Sequence, residues 1–365
     1  AENLLPSGAV PHFTMDGSRR RDFGGSNHIW AWQARHYWQF TADQEFAAIA
    51  APALDRILVQ TFEEHDPDHN LLAAWGLQIG NQEDFIQFYN DGGTPSIEVI
   101  NMMRTRAELA EGLGDTDTAR LWRGRAETAR GRLLETLWLR GLGRLGHYID
   151  EHGKVRLDAQ YHTYLYPTLW DIVDERDGYT SLRHVRDVLT GADGEVYCSN
   201  NFPNHDNGTW GMQAGAAQQP WAAWAYSKAG MRNEAYRPLL AIARHVMNRN
   251  LRGAWPEVMR EHTPAYFTPP AGLFVAAVIE ALFGLRVDKP ADVLEVAPCF
   301  PDHWPEASIK LDKFSAEYAR DGNTLTYSVG SADALARKLR WSIPPARDIR
   351  LRRSEERRVG KECAT

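Results

Sequence analysis

Helical hydrophobic patterns fill most of the chain, and the loops that join them are of two kinds. Short turns such as 112–115 join some patterns, whereas long loops rich in Gly, Asn, Asp and aromatic residues separate others, as at 65–93 and 191–213. Helical hairpins whose long loops gather at one end are typical of an α/α toroid, in which inner and outer helices surround a funnel. An open helical solenoid is the alternative, but the patterns follow no fixed repeat period.

Capping residues and apolar residues at helical spacing predict where the helices begin and end. Asp43 is suited to cap one helix. Thr94 as N-cap, with Pro95 at the first helical position, starts another, and Asp115 or Thr116 caps its hairpin partner. The predicted helices lie near 29–41, 43–64, 94–114, 115–138, 158–174, 179–190, 215–230, 233–250 and 270–285.

The last part of the chain changes character after Val287. Apolar and polar residues alternate there around a "DGN" turn, which is the pattern of antiparallel strands. We therefore expect a mainly α fold, in which residues 1–286 form a partial (α/α)6 toroid and residues 287–351 a small antiparallel β module. Residues 352–365 show no periodicity and are expected to be an unstructured, artefactual tail.

The charge and cysteine content exclude several classes of partner. A net charge of -7, from 41 basic and 48 acidic residues spread along the chain, offers no basic surface for nucleic acid. The longest apolar run, 271–285, is too short to cross a bilayer, so no membrane partner is expected. Cys198, Cys299 and Cys363 lie far apart without metal-ligand spacing, and we expect neither a metal nor a cofactor.

Aromatic residues are abundant, and many of them lie in the turn-rich stretches. The chain has 13 Trp, 13 Tyr and 13 Phe, and clusters such as "NFPNHDNGTWGMQ" place them beside amide, carboxylate and imidazole side chains. Such sets suit sugars, because an aromatic ring stacks on the apolar ring face while forked polar groups bind the hydroxyl groups. Core packing explains any single Trp equally well. The predicted partner is an oligosaccharide or a polysaccharide.

Four segments in this order resemble the six-hairpin, (α/α)6-barrel glycosidases, a group that includes glycogen-debranching-like enzymes and α-L-rhamnosidases. They are "NHIWAWQARHYWQFTAD", "GTPSIEVINMMRTRAELAEGLGDTDTARLW", "GAWPEVM" and "LFGLRVDKPADVLEVAPCFPDHWPEASI", which together cover residues 27–309. The resemblance implies a glycoside hydrolase. It also implies twelve barrel helices, so we expect about three of them to precede the first residue.

The resemblance further implies a pair of catalytic carboxyl groups. In these glycosidases the general base lies on the loop before the last inner helix, where this chain has Glu257, with Glu261 as the substitute. The general acid is expected on the long loop before the "TPSIEV" helix, where we assign Glu83, with Asp84 as the substitute. Two such groups on opposite sides of a pocket, roughly 6.5 to 9.5 Å apart, predict hydrolysis with inversion.

Other interpretations of these acids remain open. Asp91 and Glu98 are further candidates for the general acid. Glu257 is also explained as a negative charge in the first turn of a helix, where the helix dipole favours it. A general acid must be protonated at working pH, and apolar neighbours of Glu83 such as Phe85 favour this because burial raises a carboxyl pKa.

Amide and aromatic side chains in the loops are the predicted substrate contacts. Asn207 and Gln213 suit vicinal hydroxyl groups, and the Trp210 ring suits a sugar face. Trp30 and Trp32 are two residues apart on a helix, so one of them is expected in the core. The full predicted set is Asn27, His28, Trp30, Trp75, Gln82, His205, Asp206, Asn207, Trp210, Gln213 and Trp255.

Three other functions suit the same fold. A glycoside phosphorylase would use basic residues near the last loop, such as Arg260 and His262. A polysaccharide lyase would use a Tyr or His base, for which Tyr161 and His162 are candidates. A non-catalytic carbohydrate-binding toroid would keep the aromatic residues without the chemistry.

Overall fold

The structure is a computed structural model of the chain, and it describes residues 4–13, 19–20, 25–74, 90–157, 161–198, 214–248, 252–259, 267–311, 314–331 and 338–342. Its helices are α1 Gly25–Thr41, α2 Gln44–His65, α3 Gly93–Gly112, α4 Thr116–Leu137, α5 Tyr161–Leu169, α6 Glu175–Val188, α7 Gln218–Lys228, α8 Arg232–Asn248 and α9 Pro269–Ala277, which a π-helical turn Val278–Leu282 extends.

The helices of the described residues form two concentric layers. The odd-numbered helices pack side by side in the order α1, α3, α5, α7 and α9, and the even-numbered helices pack on their outside. Each outer helix packs on the inner helix that precedes or follows it in the chain, which is the arrangement of helical hairpins in an α/α toroid. The predicted fold class is therefore confirmed.

Burial separates the two layers in the way that their sequences require. In α3 nearly every side chain from Gly93 to Ala110 is buried, and in α7 every side chain over 218–226 is buried. A helix that is buried all round must be apolar on all faces or satisfy its polar groups internally. In α4, by contrast, only one stripe is buried, and it consists of Ala119, Trp122, Ala126, Ala129, Leu133 and Leu137.

Side-chain caps are found at the starts of three described helices, α2, α4 and α6. The Asp43 side chain accepts a hydrogen bond from Phe46 N at 3.0 Å, and Asp115 accepts one from Thr118 N at 3.1 Å, so both predicted caps are confirmed. The prediction for α3 is wrong, because the helix begins at Gly93 with Gly92 as its cap. Gly93 N donates to His147 O at 2.7 Å, a contact with a distant segment that local sequence does not reveal.

The described residues that follow the last helix include strands that pack on the toroid. They are β5 Leu285–Asp288, β6 Val293–Val296, β7 Glu306–Lys310, β8 Phe314–Asp321, β9 Thr324–Ser331 and β10 Lys338–Trp341. Strands β7, β8 and β9 form an antiparallel sheet, whereas β10 joins the β5–β6 pair by running parallel to β6. The Phe300 ring stacks on Tyr318 at 4.4 Å and meets Phe283 edge-on at 4.9 Å, so strands and helices share one core.

Short hairpins elsewhere in the described residues belong to the loops. They are β1 His12–Phe13 with β2 Arg19–Arg20, and β3 Trp138–Leu139 with β4 Arg144–Leu145. The second pair lies in the loop between α4 and α5, with Trp138 opposite Leu145.

The two kinds of loop lie at opposite ends of the toroid. Short turns at 42–43, 113–115, 170–174 and 229–231 follow the C-terminal ends of inner helices. The long loops at 66–92, 138–160, 189–217 and 249–268 precede the N-terminal ends of inner helices. Functional groups carried by the long loops therefore converge at the end where the inner helices begin.

A partly buried carboxyl group lies at the short-turn end of the toroid, in the π-helical turn. Glu280 accepts a hydrogen bond from the Trp224 side chain, and Arg286 Nε is 3.9 Å from its Oε2. Burial raises the pKa of Glu280 to about 7, against the lowering effect of Arg286 and Trp224. The folded protein therefore retains a proton that the unfolded chain releases near pH 4.5.

Replacing this carboxyl group by an amide is expected to stabilise the protein at neutral and higher pH. Below about pH 4.5 both states are protonated, and the wild-type free energy of unfolding falls as pH rises from there to about 7. Glu280→Gln removes this loss and keeps an acceptor for Trp224, so the gain is about 2 kcal/mol at pH 8 and near zero at pH 4. Urea unfolding at both pH values measures it. Glu135→Gln, on the exposed face of α4, is the control and is expected to follow the wild type at both.

Candidate active site

Five of the predicted site residues lie in the described part of the chain, and the others do not. Asn27, His28, Trp30, Trp255 and Glu257 are described, with side chains. The predicted residues outside the described ranges are Trp75, Gln82, Glu83, Asp84, His205, Asp206, Asn207, Trp210, Gln213 and Glu261.

The loop that carries Glu257 is fastened to the segment that precedes α7. Gly215 and Val258 form an antiparallel bridge. Ala216 N donates to Glu257 O at 2.8 Å, and Met259 N donates to Ala214 O at 2.8 Å. These bonds hold the backbone on both sides of Glu257, whose side chain is only partly buried. The predicted base is therefore on a restrained backbone at the long-loop end.

A small apolar cluster packs against the same loop. Trp255 packs on Phe274 of α9, with ring centroids 5.5 Å apart, and both contact a cluster of Ala216, Ile242 and Val246. Phe267 N donates to Trp255 O at 3.0 Å, which closes the segment between the two residues. Trp255 thus anchors the loop, and its contact with a sugar remains a prediction.

The described residues on either side of the loop with Glu83 meet at the start of α3. Gly92 N donates to Ala73 O at 2.9 Å, and Ala73 N donates to the Ser96 hydroxyl at 3.0 Å. Ala74 N also donates to His65 O at 2.8 Å. The described residues that flank 75–89, a segment outside the described ranges, are therefore close to each other and to the N-terminal end of an inner helix.

Two carboxyl groups beside the ends of this loop have raised pKa values. Burial is the main cause of the rise at both Asp66 and Asp91, and nearby Asp68 adds to it. Asn70 Nδ2 donates to Asp91 Oδ2 at 2.8 Å and to Asp68 Oδ2 at 2.9 Å. A carboxyl group in this part of the funnel rim is therefore more readily protonated than a carboxyl group in water.

A polar cluster is buried deeper in the toroid, beneath the long loops. His28 of α1 and Glu98 of α3 are 1% and 0% exposed, with His28 Nδ1 3.5 Å from Glu98 Oε1. His28 Nε2 is 3.0 Å from the Asn101 side-chain nitrogen, and the His28 ring meets Trp170 edge-on at 5.5 Å. Sequence reasoning missed Asn101, although its spacing of three from Glu98 places both on one helix face.

Asn27 is occupied by structural hydrogen bonds. Its amide nitrogen donates to Gln60 Oε1 at 2.9 Å and to the Thr61 hydroxyl at 3.1 Å. Its oxygen accepts from Val10 N at 2.9 Å, and the residue is 2% exposed. Because both amide hydrogens are used and water cannot reach the side chain, Asn27 fastens the chain before α1 to α2 and is a poor substrate contact.

Aromatic rings fill the centre of the inner layer. Trp32 meets Trp170, Trp221 and Trp224 edge-on, with ring centroids 5.7, 5.9 and 6.2 Å apart. Trp32 is thus a packing residue, as expected for one member of the pair with Trp30. Trp30 is partly buried against the same core.

Among known proteins, only solved structures are similar to this chain. No family model and no curated protein matches the chain. A GH78 rhamnosidase of Bacillus sp. GL1 superposes with a TM-score of 0.55 at 13% identity, over 88% of this chain and 33% of the other. A protein described as a sialidase superposes with a TM-score of 0.66 at 15% identity, over 87% and 32%.

A third structure matches over most of its own length. The GH63 mannosylglycerate hydrolase of Thermus thermophilus, in complex with glucose, has a TM-score of 0.58 at 13% identity, over 75% of this chain and 85% of the other. The chain has a six-hairpin glycosidase-like fold. This glycosidase-like toroid spans about a third of the length of the rhamnosidase and the sialidase. Identities this low establish the fold and no more.

Helix length and the grouping of possible metal ligands are two further features of this toroid. None of its described helices is long and apolar enough to cross a membrane. Within the same residues, no three or more His, Cys, Asp or Glu side chains form a group that could hold a metal ion.

Proposed function

We propose that this protein is a glycoside hydrolase that acts with inversion, using Glu257 as the general base and Glu83 as the general acid. The observation that carries the proposal is the pair of backbone hydrogen bonds, Ala216 N to Glu257 O and Met259 N to Ala214 O, both 2.8 Å long. They restrain a partly exposed carboxylate before the last inner helix of a glycosidase-like toroid. A general base needs such restraint, because it must aim a water molecule at the anomeric carbon.

The argument for the proposed general acid is less direct. The described residues on either side of its loop, Ala73 and Gly92, meet at the start of α3, at the long-loop end that also carries Glu257. A general acid must hold a proton at working pH, and the raised pKa values of Asp66 and Asp91 support a rim that favours neutral carboxyl groups. Inversion requires the carboxyl groups of Glu83 and Glu257 to be far enough apart to admit a water molecule.

We propose a glycan as the substrate. The matched structures include a rhamnosidase, a sialidase and a mannosylglycerate hydrolase, so the fold supports the class of substrate without selecting one sugar. The proposed contacts are His205, Asp206, Asn207, Trp210 and Gln213 from the loop before α7, Trp75 and Gln82 from the loop before α3, and Trp30 and Trp255.

The lyase alternative is less well supported by the described residues. His162, which a lyase would use as its base, is 2% exposed and meets Tyr166 and Trp221 edge-on at 5.0 and 5.6 Å. A base that abstracts a sugar proton must come within hydrogen-bond reach of it. An imidazole enclosed by aromatic rings does not offer that access.

The test is turnover of aryl glycosides, including an α-L-rhamnoside, an α-glucoside, an α-mannoside and a sialoside, followed by absorbance. For the active substrate, proton NMR of the first-formed sugar reads its anomeric configuration, which we expect to be opposite to that of the substrate. Retention would contradict the inverting mechanism. Turnover that requires phosphate would identify a phosphorylase. The absorbance of unsaturated uronate, formed from a polyuronate, would identify a lyase. Sugar binding without turnover would identify a binding protein.

A further inference from the structure

Gln219 of α7 joins two residues of the long loop before this helix, Val196 and Gly215. The side chain is 0% exposed. Its Oε1 accepts from Val196 N at 2.8 Å, while its Nε2 donates to Val196 O at 2.9 Å and to Gly215 O at 2.8 Å. The amide therefore uses one acceptor and both donors, and it ties the end of one segment to the start of the next.

The same Gly215 forms the contact with the loop of the proposed general base. It pairs with Val258 in an antiparallel bridge, flanked by the Ala216 to Glu257 and Met259 to Ala214 hydrogen bonds. Only two hydrogen-bonded steps separate the Gln219 amide from the Glu257 backbone. Because the bridge is isolated, no longer strand ladder holds its register, and Gly215 must be held from the α7 side.

There is little room for this segment to shift toward α7. A Cβ atom placed on Gly215 would lie 1.8 Å from the Gln218 side-chain oxygen, so the backbone of Gly215 is in close contact with the first residue of the helix. Gln218 is 4% exposed, and its side chain fills this space. The segment is thus confined by Gln218 on one side and by the bridge to Val258 on the other.

We propose that Gln219 is a positioning residue that sets the backbone of the 214–216 segment, and through it the Glu257 carboxylate. Its effect on turnover rests on the proposed function of Glu257, whereas its effect on the backbone does not. A glutamine is required because a single side chain must supply one acceptor and two donors in a dry site. No other uncharged side chain of this length does so.

Two variants separate the hydrogen bonds from the volume of the side chain. Gln219→Met keeps the length and removes all three bonds. Gln219→Glu keeps the acceptor for Val196 N, but it places a carboxylate oxygen against two carbonyl oxygens. At low pH the carboxyl group becomes protonated and recovers one donor, so part of the effect of Gln219→Glu is expected to reverse there.

The first measurement is amide hydrogen exchange, which requires no substrate. In Gln219→Met, the amides of Ala216 and Met259 are expected to exchange about 10-fold or more faster than in the wild type, while the centre of α3 stays protected. In Gln219→Glu, the ratio to the wild-type rate is expected to fall as pH is lowered. Wild-type protection of both amides in Gln219→Met would overturn the proposal.

Gln60→Met is the matched control, because it makes the same replacement at a buried glutamine elsewhere in the toroid. Gln60 is 3% exposed and accepts from Asn27 Nδ2 at 2.9 Å, at the α1–α2 pair. Its replacement is expected to leave exchange at Ala216 and Met259 unchanged. Equal acceleration in both variants would show a global loss of stability, and would overturn a specific role for Gln219.

The second measurement is kinetic, on the substrate that the aryl glycoside panel identifies. Displacement of the base predicts that Gln219→Met lowers kcat by about 10- to 100-fold with a much smaller change in KM. If exchange accelerates but kcat stays at the wild-type value while Glu257→Gln is inactive, Gln219 does not position the base. If Glu257→Gln is fully active, the proposed function fails, and the exchange result alone decides the role of Gln219 in the backbone.

Discussion

Glu257→Gln is expected to lower kcat by about 100- to 10,000-fold while KM changes little. The amide has the size and hydrogen-bonding reach of the carboxylate but cannot accept the proton of the attacking water. The acidic limb of the pH profile should also disappear, because in the wild type it reports the ionisation of the base. Initial rates on the active aryl glycoside, measured across pH, test both expectations.

The control for this variant is Glu135→Gln, which makes the same chemical change on the exposed face of the outer helix α4. It is expected to keep wild-type kcat and KM. Sugar binding by Glu257→Gln, measured by calorimetry, distinguishes lost chemistry from lost folding. Full turnover by Glu257→Gln would remove Glu257 from the mechanism, and Glu261→Gln would be the next variant to test.

Gly284→Ala is expected to lower the free energy of unfolding by about 3 to 5 kcal/mol. Gly284 links the π-helical turn to β5 with φ +67°, and an added Cβ would lie 2.0 Å from Ala297 O and 2.6 Å from Pro298 N. These are backbone atoms, and Ala297 N donates back to Gly284 O at 2.8 Å, so no flexible side chain relieves the clash. The midpoint of urea unfolding measures the loss.

Gly124→Ala is the matched control, and it is expected to change stability in the opposite direction. Gly124 lies on the exposed face of α4, with no atom within 4 Å of the added Cβ. Alanine favours the helix over glycine by about 0.5 to 1 kcal/mol. A Gly284→Ala protein with wild-type stability would mean that the turn between the toroid and the strands adapts to a side chain.

Features that depend on neighbouring residues were predictable from the sequence. The caps at Asp43 and Asp115 use an amide three residues along the chain, so a short window contains both partners. The toroid followed from the alternation of loop lengths, and the strands after Val287 followed from their period of two. The start of α3 was displaced because Gly93 bonds to His147, which lies outside any local window.

The candidate site was predictable only in outline. Sequence reasoning selected Glu257 and its loop, and it also selected Asn27, whose amide is taken up by Gln60 and Thr61. The sequence does not distinguish a helical polar residue that contacts a substrate from one that contacts a structural partner. Burial and the partner's position separate these cases, and both are properties of the assembled helices.

The order of helices, the two classes of loop and the change from helices to strands follow from the sequence alone, because hydrophobic periodicity and capping act over a few residues. Which polar groups meet depends instead on how the helices pack. Gln219 bonds to Val196, and His28 lies beside Glu98, across gaps in the chain that close when the inner helices come together. Those contacts depend on the relative placement of whole helices. The backbone restraint on Glu257 could therefore be seen only in the tertiary structure.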